Sequence, residues 1–575
     1  MTGLTTRLPW FRKEWAVVLV VFLLVASAGC TGLTSSGADL DTTIDFRDRT
    51  DEVGLEYRTD GGGAGNGDDG VYVADYDRDG WQDILAVGGE NPVLFRNTGG
   101  EFSRVENFSV GDSVKSALFF DYDGDGWEDL LFLRSHGEPV LFHNDGGQFD
   151  RAAMDFGSLA YPMGATADDY DGDGDLDLLV YQSGDWATTK PEGYFSLHKV
   201  VRKDNGHPNV LYENTGDGFE RVENSGLSES HRWSLAASFV DLTGDGLPDV
   251  HVANDFNTDT VYVNNGDGTF EERPLRGNTS RNGMSSEIAD VNGDGAQDVF
   301  TTNIYLPLDE VGDEERQERF RFLFSYVIQS GRTKGNTLML NDGAGGLQDR
   351  AVSFGVRQGG WGWAASLSDL DNDGDRDLIH ATQYVVRLDR ENPHYTYPML
   401  FEREGDAFEN LDASERNLGE QDGRGLVTLD YDRDGDRDVV VAPYDGDVKL
   451  YENVGADANS IEFRVADAQG STVYGAEVTV STAARTTVVQ QTVQSDFLSQ
   501  ESRVSHVGLG GHDQVDLTVT FPDGTTRTFE NVDANQHVRI TKDGLSVVAD
   551  WERDEEESEE SERVGSPSSS VQHLH

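Results

Sequence analysis

The sequence has almost no cysteine. One residue among 575, Cys30, excludes internal disulfides and clustered cysteine metal sites. Positive charge is also scarce: 45 Lys and Arg stand against 106 Asp and Glu, a net charge of -61. So acidic a chain is repelled by a phosphate backbone, which excludes nucleic acid as a partner. Lys is much rarer than Arg, and the balance resembles that of proteins from high-salt surroundings, where charge repulsion is screened within about 3 Å at 1 M salt. Long apolar runs are missing from the body. Hydrophobic content is 36%, in short runs between Gly, Asp and Asn, with 10% aromatic residues. That pattern is all-β and argues against a disordered body.

The one longer apolar run lies near the N-terminus. Arg7, Arg12 and Lys13 precede Trp15 to Val25, and small residues lead to Cys30. A basic start, a short apolar stretch and a small-residue cleavage site make an export signal. The run falls short of the roughly 20 residues of a spanning helix. Ser27-Ala28-Gly29-Cys30 resembles a lipobox, with Ser27 in place of the usual Leu or Val. The expectation is a signal over residues 1–30, lipidation at Cys30, a flexible spacer at 31–43, and residence on the outer face of a cell membrane. The alternative is an uncleaved signal anchor.

One pattern recurs seven times in the body. The first copies are Asp75, Asp77, Asp79, Gly80, Asp83; then Asp121, Asp123, Asp125, Gly126, Asp129; then Asp169, Asp171, Asp173, Gly174, Asp177. Two altered copies follow: Asp241, Thr243, Asp245, Gly246, Asp249, and Asp290, Asn292, Asp294, Gly295, Asp298. The last are Asp369, Asp371, Asp373, Gly374, Asp377 and Asp430, Asp432, Asp434, Gly435, Asp438. Successive copies start 46 to 79 residues apart, the spacing of propeller blades with insertions. Alternate carboxylates at positions 1, 3 and 5 converge when such a loop curls, the Gly at 6 permits the turn, and the Asp at 9 closes it. This is hard-cation chemistry: calcium takes six to eight oxygens at about 2.3–2.6 Å. The expected cofactor is Ca2+, up to one ion per loop. Flanking strands and closure at position 9 exclude an EF-hand. The loops take up 26 of the 106 acids, so most of the charge has another origin.

After loops such as the first four comes an apolar strand ending in Asn-x-Gly, then a strand beginning with Phe, as in Val93-Leu-Phe95, Asn97 and Phe102. Each repeat therefore predicts four strands, with a hairpin at Asn-Gly. No Phe strand follows Leu450 to Asn453, but one precedes the first loop at Phe46, so the N-terminal strand is expected to complete the last sheet and remove free edges.

These repeats resemble the FG-GAP, or VCBS, repeats of integrin α-chain propellers and bacterial surface proteins. The resemblance implies a seven-bladed β-propeller over 44–456, with calcium between the first two strands of each blade. Residues 457–548 carry Phe497-Leu-Ser-Gln500 and Phe521-Pro-Asp-Gly524 and resemble an ASPIC/UnbV domain, read from its residues as a small β-sandwich without site chemistry. Residues 549–575 read as a disordered acidic tail. Long insertions run from Gly184 to Pro208, Tyr305 to Gly335 (helical in Glu310 to Gln329) and Tyr384 to Pro398. With Trp361 and Trp363 they place a protein or glycan ligand on the face opposite the acidic loops. The sequence holds no nucleophile elbow and no His-Glu-x-x-His. The expected function is a calcium-stabilised binding or adhesion module and not an enzyme; a hydrolase or lyase on the same scaffold, or a structural surface component, are the alternatives.

Overall fold

The computed structural model describes residues 43–61, 69–111, 114–135, 137–184, 206–216, 218–275, 280–305, 334–383, 397–456, 458–493 and 495–551. The signal, Cys30, most of the spacer and of the tail, and nearly all of the three insertions lie outside them. Among the described residues the one helix is Thr50–Val53, and everything else regular is strand.

The repeats form seven antiparallel sheets in a propeller-like, all-β arrangement. The first strands are Gly70–Ala74, Val114–Phe120, Pro162–Asp168, Trp233–Val240, Glu287–Ala289, Trp361–Ser368 and Gly423–Leu429. Nearly every residue in them is buried, which is why runs such as Ala117-Leu-Phe-Phe120 are apolar without alternation. Each second strand begins at a position-9 aspartate, from Asp83–Val87 to Asp438–Pro443. Third and fourth strands continue outward in order. In the seventh sheet the fourth place belongs to Phe46–Asp48, with Phe46 opposite Asn453.

Apolar burial lies between neighbouring sheets. Tyr72 and Leu85 of the first sheet pack with Phe119 and Phe132 of the second. Val71 and Ile84 of the first pack with Val427 and Val440 of the seventh. The first strands contact one another in sequence order, and the seventh again contacts the first.

The C-terminal segment forms two four-stranded sheets: Asn459–Val465 with Ser505–Gly510, Gln536–Thr541 and Gly544–Asp550, and Glu477–Ser481 with Thr486–Gln490, Gln514–Thr520 and Thr526–Asp533. They enclose a core that includes Phe463, Val478, Leu517 and Phe521. It does not stand apart as a separate sandwich. A finger, Ser495–Asp496 and Ser499–Gln500, joins the first repeat sheet, with Ser499 parallel to Val71. The Gln500 amide accepts from Phe119 N at 2.8 Å and donates to Phe119 O at 2.9 Å. Asp496 Oδ1 accepts from Ser286 N at 2.9 Å and Oδ2 from Ala365 N at 2.7 Å. Glu501 accepts from Thr428 N at 3.1 Å, and Thr166 Oγ1 donates to Val493 O at 3.3 Å. The finger also packs on Trp233–Val240. It therefore touches the first strand, or the residue before it, of all seven repeat sheets. A motif such as Phe497-Leu-Ser-Gln500 does not announce this, because the finger's partners lie 73 or more residues away.

Asp496 is the hub of the finger, and its removal orphans two buried amides. Asp496→Ala is expected to destabilise the protein by about 2–6 kcal/mol, at about 1–3 kcal/mol per unpaired amide. Asp496→Asn keeps an acceptor and should lose less. Thermal midpoints with calcium present check both.

Candidate metal centres

The seven loops repeat one hydrogen-bond scheme. The position-1 aspartate receives the amide of the position-6 glycine, from Gly80 to Asp75 at 3.1 Å through Gly435 to Asp430 at 3.0 Å. Those glycines all have φ between 83° and 99°, a region costly for other residues. The position-5 aspartate receives the amide two residues on, as Trp81 gives to Asp79 at 2.9 Å. The position-9 aspartate takes two amides. Asp83 Oδ2 accepts from Tyr76 and Oδ1 from Asn97, at 3.2 and 2.7 Å. The same pair recurs at Asp129, Asp177, Asp249, Asp298, Asp377 and Asp438.

The asparagine that the sequence marks as a hairpin residue does more. Its side-chain amide reaches the preceding sheet's loop. Asn144 Nδ2 donates to Tyr76 O, Asn214 to Tyr122 O, Asn264 to Tyr170 O and Asn341 to Leu242 O, at 2.7–3.0 Å. Asn453 reaches Leu370 O at 2.6 Å, and Asn97 of the first sheet reaches Tyr431 O of the seventh at 2.7 Å. In the sixth sheet Arg403 stands in this place.

Beside these amides the loop carboxylate oxygens converge. Donor oxygens of Asp75, Asp77 and Asp83 lie within 4.8 Å of one another, as do those of Asp121, Asp123 and Asp125, of Asp169, Asp171 and Asp177, and of Asp369, Asp371 and Asp377. Oδ1 of Asp75, Asp77, Asp121, Asp369 and Asp432 is buried without a hydrogen-bond partner. Unpaired buried carboxylate oxygens are costly unless a cation takes them, so the donor set fits a divalent ion. The altered copies keep the loop shape: Thr243 has a buried hydroxyl without a partner, and Asn292 donates to Asp294 at 2.9 Å.

Crowding shows in the proton affinities. Burial, with repulsion from the other loop carboxylates, pushes Asp83 up to about 9 against the lowering of the Asn97 amide. Asp129 and Asp177 rise to about 8 and Asp298 to about 7, burial again leading. Asp369, Asp377, Asp430 and Asp438 rise well above the usual carboxylate range for the same reason.

The loops differ in exposure because the C-terminal sheets lie over some of them. Gly508 N donates to Asp369 Oδ2 at 2.8 Å, so close that a Cβ on Gly508 would meet the Asn372 backbone at 2.4 Å. Arg485 pairs with Asp375 at 2.9 Å, and Ser460 Oγ donates to Gly435 O at 2.7 Å. Arg78 donates to Gln469 O at 3.0 Å, and Arg503 pairs with Glu128 at 3.4 Å. The sixth, seventh, first and second loops are thus engaged, and the five orphaned oxygens belong to them. Residues 171–175, 244–246 and 293–295 of the other three are exposed. The sequence reading missed this cover.

Family comparison agrees with the repeats. FG-GAP-like repeats match residues 75–132, 121–180 and 241–301, which hold the first five loops. The sixth and seventh continue the same hydrogen bonding outside the matched stretches. The chain is an FG-GAP-repeat protein. It carries, at 467–546, a C-terminal ASPIC and UnbV domain. No curated protein matches it. Among solved structures, the extracellular domain of a putative one-component system from B. thetaiotaomicron is similar at 11% identity and TM-score 0.37, over 69% of this chain and 40% of that one. Sqt1 of Saccharomyces cerevisiae is similar at 11% identity and TM-score 0.39, over 72% and 99%.

The raised carboxylates set a pH dependence. A folded-state pKa above the unfolded value gives stability that is complete below about pH 4 and lost as pH rises through the folded value. Without metal, stability should therefore fall between about pH 4 and 9. A bound cation takes the deprotonated form and cancels the loss. The gap between thermal midpoints in calcium and in chelator, at fixed ionic strength, should widen from pH 5 to pH 9.

Proposed function

We propose that this chain is a seven-bladed β-propeller, closed by its N-terminal strand, that holds calcium in its acidic loops and serves as a binding module on the outer face of a cell membrane. The observation that carries the metal reading is the convergence of loop carboxylates, five of which leave one buried oxygen without a hydrogen-bond partner. Asp75, Asp77, Asp79 and Asp83, and their counterparts in the other loops, would hold the ion. Calcium supplies the positive charge that lets four carboxylates share one turn. The closed ring is supported by the pairing of Phe46–Asp48 with Lys449–Asn453 and by Asn97 reaching Tyr431.

A protein or glycan ligand would sit away from the acidic loops, part of which the C-terminal sheets cover. Trp361 opens its strand at the end opposite the loop and stacks on Trp363 at 6.4 Å. Arg424 lies over Trp363 at 4.5 Å and Tyr444 at 4.9 Å. Trp361 and Tyr444 are half-buried over the buried Trp363 and Arg424, and aromatic groups are favoured anchors in interfaces. Membrane attachment would come through lipid on Cys30. Among the described residues no helix is long and apolar enough to cross a membrane. The module reading stands ahead of a hydrolase or lyase because the loop carboxylates already have a role in the scaffold.

Ions bound only to the folded state stabilise it; each site filled at ten times its Kd adds about 1.4 kcal/mol. Chelation at constant ionic strength is expected to lower the thermal midpoint by many degrees, with recovery on adding calcium. An unchanged midpoint, or no calcium bound by elemental analysis, defeats the metal reading. Cys30→Ser is expected to move the protein from the membrane to the soluble fraction.

A further inference from the structure

The repeat fixes the loops but leaves one neighbouring position free. It is the residue before the third-strand asparagine, or before Arg403, and it stands beside its own loop. Three sheets place a carboxylate there, Glu213, Glu402 and Glu452, and two an aliphatic side chain, Val263 and Leu340. The first sheet has Arg96, whose guanidinium pairs with Asp77 at 2.6 Å and Asp79 at 2.8 Å. The second sheet has His143, the single residue of this set with a nitrogen lone pair to give.

His143 Nδ1 lies 3.3 Å from Asp123 Oδ2 and 3.2 Å from Asp129 Oδ1. One donor atom from each of the three falls within 4.8 Å of the others. Asp121, only 6% exposed, accepts from Gly126 N at 2.9 Å and from the Ser471 hydroxyl, and has an oxygen within 4.8 Å of donors on Asp123 and Asp125. Tyr122 meets the imidazole edge-on at 6.2 Å. The His143 side chain is 33% exposed, so an ion can reach it.

This donor set differs in kind from its six counterparts. Calcium takes oxygen and has little use for imidazole. Zinc, nickel and copper prefer it, and their affinities exceed those of the hard ions at mixed sites. Tetrahedral coordination at 2.0–2.1 Å separates neighbouring donors by about 3.3 Å, close to the 3.3 and 3.2 Å between His143 Nδ1 and the Asp123 and Asp129 oxygens. We propose that the second loop is a mixed nitrogen–oxygen site for a divalent transition ion, held by His143 Nδ1 with Asp121, Asp123 and Asp129. Its ring proton then resides on Nε2. The assignment rests on the reading that these loops bind divalent ions, and it deepens that reading by making one loop chemically distinct.

The test uses the full chain with calcium present. Cu2+ added at one equivalent should give an electron paramagnetic resonance spectrum with nitrogen superhyperfine coupling. His143→Gln should remove that coupling and weaken Zn2+ binding, measured against a chromophoric chelator, by about tenfold or more. Calcium stoichiometry should otherwise hold. Asp123→Asn, at an exposed position, is the second variant and should weaken Zn2+ while keeping the nitrogen signal. Unchanged copper spectra and zinc affinity in His143→Gln overturn the proposal. Loss of calcium binding at every loop of the unaltered protein would instead overturn the wider metal reading, while the nitrogen signal still decides for or against His143.

Discussion

The fold depends on an amide–carboxylate joint. Each position-9 aspartate ties its own loop to its third strand, and in every sheet but the sixth the asparagine on that strand ties both to the loop of the sheet before. A loop that curls thus does three things at once. It orients acids toward a centre, starts the second strand in register, and offers a carbonyl to the next sheet. Collapse of one loop would be felt in its neighbour, because the carbonyl that the asparagine needs sits at position 2 of the same turn. Apolar packing supplies most of the burial between sheets, and the joint adds a polar tie between them.

Much of this was legible in the sequence. The loops, the four-strand repeat and the outer strand donated by Phe46 follow from local patterns: alternating acids, a glycine at a left-handed position, an Asn-Gly hairpin. The asparagine's reach to Tyr76 or Tyr431 was not legible, since a hairpin asparagine and an inter-sheet clamp are spelled alike. Neither was the finger. Asp496 and Gln500 look like ordinary polar residues in a β segment, and their amide partners are set by tertiary placement alone. His143 passed unremarked because it sits outside the repeated motif, fourteen residues beyond the aspartate it touches.

The covering of the loops also follows from local chemistry. Position 4 of the turn has positive φ throughout, and the second to fifth loops place glycine there, at 124, 172, 244 and 293. The first, sixth and seventh carry Arg78, Asn372 and Arg433 in the same strained conformation. Two of those side chains reach the C-terminal segment: Arg78 donates to Gln469 O, and Asn372 Oδ1 meets His506 Nε2 at 2.7 Å. Arg433 stacks on Trp81 at 3.7 Å. Backbone strain is thus tolerated where a side chain gains a contact that glycine cannot make.

The finger has a consequence for biogenesis. Its residues emerge from the ribosome only after all seven repeats, yet it is the element whose hydrogen bonds reach across the inner strands of nearly all of them. Until residue 500 is translated, the amides of Phe119, Ser286 and Ala365 have no such acceptor. The nascent repeats lack that tie until then, and the last fifth of the polypeptide supplies it as a keystone set after the arch.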